Sequence, residues 1–161
     1  MSPADPGTVI ADRFPGAAVA NDAFRGQAWS VVPTAVLIDV LRLLRDELGY
    51  EHLSDITAVD WMERSPRFDV VYQLFSFAEG SWYRVKVQVD EDDAVPTAIP
   101  VWPGANWAER EVYDLFGIRF EGHPALHRIM LPEGWVGHPL RKDYPMSQIT
   151  LPRSHVTKMP E

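Results

Sequence analysis

The sequence predicts an α+β fold, with about four mainly antiparallel strands packed with two helices and an extended, proline-rich C-terminal tail. Three observations predict it. Val36, Leu37, Val40, Leu41, Leu44 and Leu48 recur with the 3.6-residue period of a helix that buries one face. Two β-rich runs over 67–77 and 82–89 are joined by the hairpin loop Ala78-Glu79-Gly80-Ser81. Six of the fourteen prolines fall in the last 45 residues, where no long helix or central strand can then form.

In chain order, residues 1–27 are small and polar, are broken by Pro3, Pro6, Pro15 and Gly16, and leave room for a helical turn or more over Val9–Phe14. Ala28–Val32 reads as a short strand. Pro33 and Thr34 open the helix over 34–48, in which Arg42 and Asp46 form an i,i+4 pair and Gly49 is the stop. Leu53–Trp61 reads as a strand ended by Glu63-Arg64-Ser65-Pro66. Arg67–Phe77 is too uniformly apolar to face water on both sides. In Trp82–Val89, Tyr83, Val85, Val87 and Val89 point one way while Arg84, Lys86 and Gln88 point the other, so one sheet face is buried. Asp90–Asp93 lacks the glycine and glutamate of a calcium loop, since Val95 and Val101 stand there, and reads as a solvated turn. Pro96, Pro100 and Pro103 mark an extended connection.

Trp107–Tyr144 concentrates charge, histidine, proline and aromatic residues. Its first third predicts a helix over 106–116, with Asn106 as N-cap, Glu109 completing a capping box and Gly117 as a left-handed stop. Ala108, Val112, Leu115 and Phe116 share the apolar face, and Glu109, Arg110, Glu111 and Asp114 are expected on the solvated remainder. The predicted division is an α+β domain over 1–116 and a partner-binding tail over 117–161. Phe120, Leu126, Ile129, Met130, Leu131, Trp135 and Leu140 make the tail too apolar for disorder, so it is expected to leave the domain and lie along a partner.

Composition narrows the chemistry. With 161 residues the chain fits one domain. A formal charge of -8 argues against a general nucleic-acid binder. The charge is uneven: residues 117–161 carry six Lys or Arg against four Asp or Glu, and residues 1–116 carry nine against nineteen. Without cysteine, no thiolate nucleophile and no thiolate-held zinc or iron-sulfur cluster can be built. Neither a Gly-x-Gly-x-x-Gly fingerprint nor a Gly-Lys-Ser/Thr loop is present, so flavin, nicotinamide and triphosphate have no recognisable cradle. The N-terminus lacks a signal peptide's basic start and apolar run, and no apolar stretch reaches the ~20 residues of a membrane span. A cytoplasmic chain that meets a membrane only through partners is expected. His123 and His127 are four apart, but Pro124 opposes a helix through both. His123 and His138 read as turn histidines bonded to backbone or carboxylate. A free-standing hydrolase or metal enzyme using His123, His127 or His138 is the reading from a different class.

Glu109-Arg110-Glu111, Tyr113-Asp114-Leu115-Phe116-Gly117, Gly122-His123-Pro124 and Gly137-His138-Pro139-Leu140-Arg141-Lys142-Asp143-Tyr144-Pro145 follow one another in a fixed order. In this the chain resembles the 30 kDa subunit family of bacterial NADH:quinone oxidoreductase, complex I. One departure is His127, where the family carries Lys or Arg. The resemblance implies a non-catalytic, cofactor-free scaffold in the peripheral arm of a proton-translocating enzyme, on the cytoplasmic side of the cell membrane, supporting the quinone-reducing module. It implies iron-sulfur clusters, FMN and quinone on partner subunits, with the subunit that shapes the quinone site and the iron-sulfur subunits as neighbours. It assigns Glu109, Arg110, Glu111, Tyr113, Asp114, His123, Pro124, Arg128, Trp135, His138, Leu140, Arg141, Lys142, Asp143 and Tyr144 to the family motif and a subunit interface, and no residue to catalysis, cofactor or metal. The equivalent subunit of a membrane-bound hydrogenase, or of a quinone reductase using ferredoxin or deazaflavin, would share these features.

Overall fold

A computed structural model describes residues 5–17, 20–132 and 134–145. Helix α1 (Pro6–Arg13) leads into a hairpin of β1 (Ala20–Phe24) and β2 (Gln27–Val31), and a 3-10 turn over Thr34–Val36 opens α2 (Leu37–Asp46). Three long strands follow, β3 (His52–Asp60), β4 (Phe68–Ser76) and β5 (Ser81–Val89). Short β6 (Ala94–Pro96), helix α3 (Ala105–Phe116) and short β7 (Arg119–Glu121) complete the order. The main sheet runs β1-β2-β5-β4-β3, and β6 pairs with β7 in a second, two-stranded sheet.

The fold is the α+β arrangement that the sequence predicts, with a fifth strand in the main sheet. That strand is β1, whose Ala-Asn-Asp-Ala-Phe run is exposed throughout and shows neither apolar alternation nor β-branched residues. It forms because Arg25 and Gly26, both at positive φ, make the two-residue turn whose twist suits a hairpin. The hairpin then docks β2 parallel to β5, while the other pairs of the main sheet are antiparallel. Strand β6 ends at Pro96, the first proline of the expected extended connection, and the tail contributes β7, its parallel partner.

Alternation decides which sheet face is covered. Ile56 and Ala58 on β3, Phe68, Val70, Tyr72 and Leu74 on β4, and Tyr83, Val85, Val87 and Val89 on β5 enter one core with Ile10 of α1, Leu37, Val40, Leu41 and Leu44 of α2, and Val112 and Phe116 of α3. All three helices therefore lie on that face. Leu43 is also buried, so the stripe of α2 is wider than the predicted one. Arg42 pairs with Asp39 at 3.6 Å rather than with Asp46, which turns to Arg45 at 2.6 Å. Arg45 also donates to the Val101 carbonyl, which joins α2 to the segment before α3.

Residues 117–145 do not leave the body. Ile118 and Phe120 are buried in the core, and Leu140 N–H donates to the Leu115 carbonyl at 3.0 Å. The expectation of a departing tail fails here because this segment finds within the chain its hydrogen-bond acceptors and part of its apolar cover, with Met130 and Leu140 left exposed. Residues 146–161, the rest of that tail, lie outside the described residues.

Candidate functional site: two carboxylate anchors beneath a C-terminal strap

The sequence motif folds into two polar anchors that fasten residues 128–144, here called the strap, across α3 and the end of the main sheet. The first anchor is Asp114. It stands on α3, where the helical pattern puts it among solvated residues, yet its exposure is 0% because the strap covers it. Its Oδ2 accepts the N–H groups of Ile129, Met130 and Leu131 at 3.0, 2.8 and 2.9 Å. Its Oδ1 accepts Arg128 Nη1 at 2.8 Å. Burial opposes ionisation, but the Leu131 and Met130 amides, the Arg128 guanidinium and the Ile129 amide together hold the carboxyl below the usual range. Three successive amides on one oxygen form a small nest that an irregular, proline-bounded backbone cannot satisfy internally.

Arg128 and His138 extend this anchor. Arg128 Nη2 donates to the Gly137 carbonyl at 3.0 Å, bridging two turns of the strap. His138 Nδ1 donates to the Asp114 carbonyl at 2.9 Å, which fixes its tautomer, and burial first of all lowers its pKa and keeps the ring neutral. The His138 ring also meets Tyr113 edge-on at 6.1 Å. Gly117 ends α3 at φ +79, and a Cβ there would come within 2.5 Å of the His138 ring and 2.8 Å of Arg141 Nη2. Both the left-handed backbone and the close approach of the strap require glycine.

The second anchor is Arg67, at the start of β4. Its guanidinium grips Asp60 of β3 bidentately at 2.8 and 2.7 Å, Asp143 of the strap at 3.1 and 2.9 Å, and Glu91. Asp60 is buried, and it also accepts the N–H groups of Met62 and Lys142, each at 2.8 Å. Arg67 holds the Asp60 carboxyl well below the usual range, and the Asp60 bond is the main reason that Arg67 holds its own proton more tightly. Arg141 closes the cluster, with Nε on the Phe116 carbonyl at 2.5 Å and Nη1 on Glu91 at 3.0 Å. The guanidinium carbons of Arg67 and Arg141 lie 4.9 and 5.3 Å from the Phe68 ring centroid. Glu91, from the turn expected to be solvated, thus serves two arginines.

The predicted site residues therefore divide. Asp114, Arg128, His138, Arg141 and Asp143 meet in the anchors, and Lys142 contributes its backbone N–H while its side chain is exposed. Arg141, assigned by the resemblance to a subunit interface, turns inward to Glu91 and the Phe116 carbonyl. Tyr144 donates to the Val136 carbonyl at 3.1 Å within the strap. Trp135 is half-buried, with an indole N–H that has no acceptor among the described residues. Leu140, Met130 and Val136 are exposed on the strap's outer side. Arg110 donates to the His127 carbonyl at 3.1 Å and stacks on exposed Trp107, while Glu111 faces solvent. His123 bonds the Asn106 carbonyl at 3.2 Å through Nε2 and accepts Ala125 N–H at Nδ1, so it is the turn histidine expected, with exposed Pro124 beside it. His127 is exposed.

Glu109 departs furthest from its predicted place. It does not cap α3, whose first turn has no side-chain cap at Gly104. Its exposure is 0%, between Ala105 and Val112 on the core face, and its oxygens accept the Thr97 hydroxyl and the Ala98 N–H, both at 2.6 Å. Burial pushes its carboxyl up to about 7, against the pull of those two donors. A folded-state pKa raised from 4.5 to about 7 means that stability is full below 4.5 and is lost as pH rises through 7. Glu109→Gln is therefore expected to be close to neutral at pH 4.5 and stabilising at pH 8, by on the order of 3 kcal/mol before relaxation. Urea melts of both proteins at the two pH values check this. A glutamine variant equally weakened at both would show that the carboxylate is the preferred form.

Sequence reasoning missed Asp60, Arg67 and Glu91. One signal was available: Asp60 and Arg67 put charges at the ends of strands otherwise bound for the core. Among the described residues no group of three or more His, Cys, Asp or Glu side chains is placed to hold a metal ion, and no helix is long and apolar enough to cross a membrane.

Comparison with known proteins agrees with the motif. Residues 30–150 match the family described as respiratory-chain NADH dehydrogenase, 30 Kd subunit. The chain is 53% identical over 130 residues to an NADH-quinone oxidoreductase subunit of Brucella abortus (strain 2308), a match that covers 80% of this chain and 64% of that protein. The counterpart in Brucella ovis is 52% identical over the same length and coverage. The chain thus spans less than two thirds of the length of these relatives. Among solved structures, a chain of the membrane-bound sulfane sulfur reductase, an archaeal respiratory membrane complex, aligns with a TM-score of 0.66 and 28% identity over 88% of this chain and 87% of that one. With three quarters of its length matched to the family and the motif residues in place, the chain belongs to the 30 kDa subunit family of respiratory-chain NADH dehydrogenase.

Proposed function

We propose that the chain is a non-catalytic scaffold subunit of a proton-translocating NADH:quinone oxidoreductase, held on the cytoplasmic face of the membrane through its partners. The carrying observation is where the motif's charged side chains go: Asp114, Arg128, Arg141 and Asp143 are spent on fastening the strap. A strap held this way offers Met130, Val136 and Leu140 outward on a backbone whose ordering cost is already met within the chain. The neighbours would be the quinone-site subunit and the iron-sulfur subunits, with FMN, iron-sulfur clusters and quinone on those chains. The sulfane sulfur reductase likeness supports a second reading, the same scaffold in a respiratory complex with another electron donor or acceptor.

Reconstitution tests the proposal. Purified chain added to an assembly of the other peripheral-arm subunits that lacks it is expected to restore NADH:quinone reductase activity while binding no flavin or iron itself. Stoichiometric iron or flavin on the isolated chain, or full activity of the assembly without it, would overturn the scaffold role.

A further inference from the structure

All three helices cover one face of the main sheet, and at one end the opposite face carries a row of rings instead of the polar residues expected of a wet surface. His52 of β3, Phe75 of β4 and Trp82 of β5 are directly paired across the strands, so they form one rank. Phe77, just beyond the end of β4, completes the row. Ring centroids are 4.7 Å apart for Phe75 and Trp82, 5.2 Å for Phe75 and Phe77, and 5.6 Å for His52 and Phe77. Phe77 is 66% exposed and Trp82 43% exposed. Mutual contact fixes these rings, so they would lose little side-chain freedom on being covered.

Two carboxylates border the outer end of the row, and Arg84, one rank along on the same face, is held by Gln73 and Gln27. Glu51 accepts Phe77 N–H at 3.2 Å, which keeps its carboxylate against the rings, and Glu79 lies in the loop between Phe77 and Trp82. Neither has a cationic partner among the described residues. Further along this sheet face the character changes: Lys86 stacks on Trp29 at 4.3 Å, and Arg84 bonds Gln73 at 2.6 Å. The aromatic end thus carries uncompensated negative charge while the middle is polar and internally satisfied.

We propose that the row His52-Phe75-Phe77-Trp82 is a second docking surface, separate from the strap, for a protein segment that presents an apolar side chain flanked by Lys or Arg. The apolar group lies on Phe77 and Trp82, and the cations meet Glu51 and Glu79, where an arginine can also stack on the indole. The occupant is a neighbouring subunit of the respiratory assembly, so the inference rests on the scaffold reading and adds a contact on the face opposite the helices.

The test uses the full chain co-assembled with the other peripheral-arm subunits. Benzoylphenylalanine placed at position 77 is expected to photo-crosslink to a peptide of another subunit that carries Lys or Arg within a few residues of the link. Phe77→Ser and Glu79→Lys, each with an unchanged melt of the isolated chain, are expected to weaken association about tenfold, as for the loss of one central contact. Normal assembly of both variants, or a cross-link to a second copy of this chain or to a peptide without basic residues, overturns the inference and leaves the scaffold reading standing. A parent chain that does not assemble at all contradicts the scaffold reading, and this one with it.

Discussion

Asp114→Ala is expected to lose about 3–5 kcal/mol of folding stability, the scale of removing one partner from a buried ion pair. The carboxylate serves three backbone amides and a guanidinium at once, so its removal leaves the Ile129, Met130 and Leu131 amides without their acceptor and Arg128 without its counter-charge, where water cannot readily replace it. Asp114→Asn keeps the shape but turns one acceptor oxygen into a donor aimed at other donors, and should fall between alanine and the parent. Glu111→Ala, on the exposed face of the same helix, should stay within about 0.5 kcal/mol. Urea denaturation of the four proteins decides it, and equal losses for Asp114→Ala and Glu111→Ala would remove Asp114 from the anchor.

Arg67→Ala is expected to be of similar size, about 3–5 kcal/mol near neutral pH, and to carry a pH signature that a simple packing loss lacks. In the parent, Arg67 depresses the Asp60 pKa, so the stabilisation is present above the ordinary carboxylate range and fades as pH falls toward the depressed value. Without Arg67, burial of Asp60 is unopposed by a cation and favours the protonated acid. The variant's deficit should therefore shrink on acidification from pH 7 to 4.5, a range in which the parent keeps its Asp60 stabilisation. A deficit unchanged across that range would mean that Asp60 has found another counter-charge or that Arg67 acts mainly by stacking on Phe68.

Periodicity carried most of the fold, because β4, β5 and α2 bury whole faces and each apolar position repeats the same statement. It failed where one tertiary contact overrides the pattern. Glu109 and Asp114 have the spacing of a solvated helix face, and only the return of residues 97–98 and 128–131 over α3 buries them. No local rule predicts that cover, since the partners lie 11 to 17 positions away in an irregular backbone. The Arg42–Asp46 pair failed for a smaller reason: Asp46 has a nearer cation in Arg45. β1 was illegible because its residues neither alternate nor favour strands, and its place depends on a two-residue turn. The site residues themselves were legible as a motif, and their direction was not: Arg141, read only as a motif and interface residue, is an internal tie.

Residues 128–132 and 134–144 are held on the body before any partner arrives. Amide hydrogen exchange of the isolated chain tests it most directly, because Met130, Leu131 and Lys142 lie in no helix or strand and owe their bonded N–H groups to Asp114 and Asp60 alone. These three amides are expected to exchange about a hundredfold or more slowly than an unstructured chain, and to lose that protection at Met130 and Leu131 in Asp114→Ala. Exchange of all three at unstructured rates in the parent chain would contradict the claim, and would place the ordering of the strap at the moment of assembly.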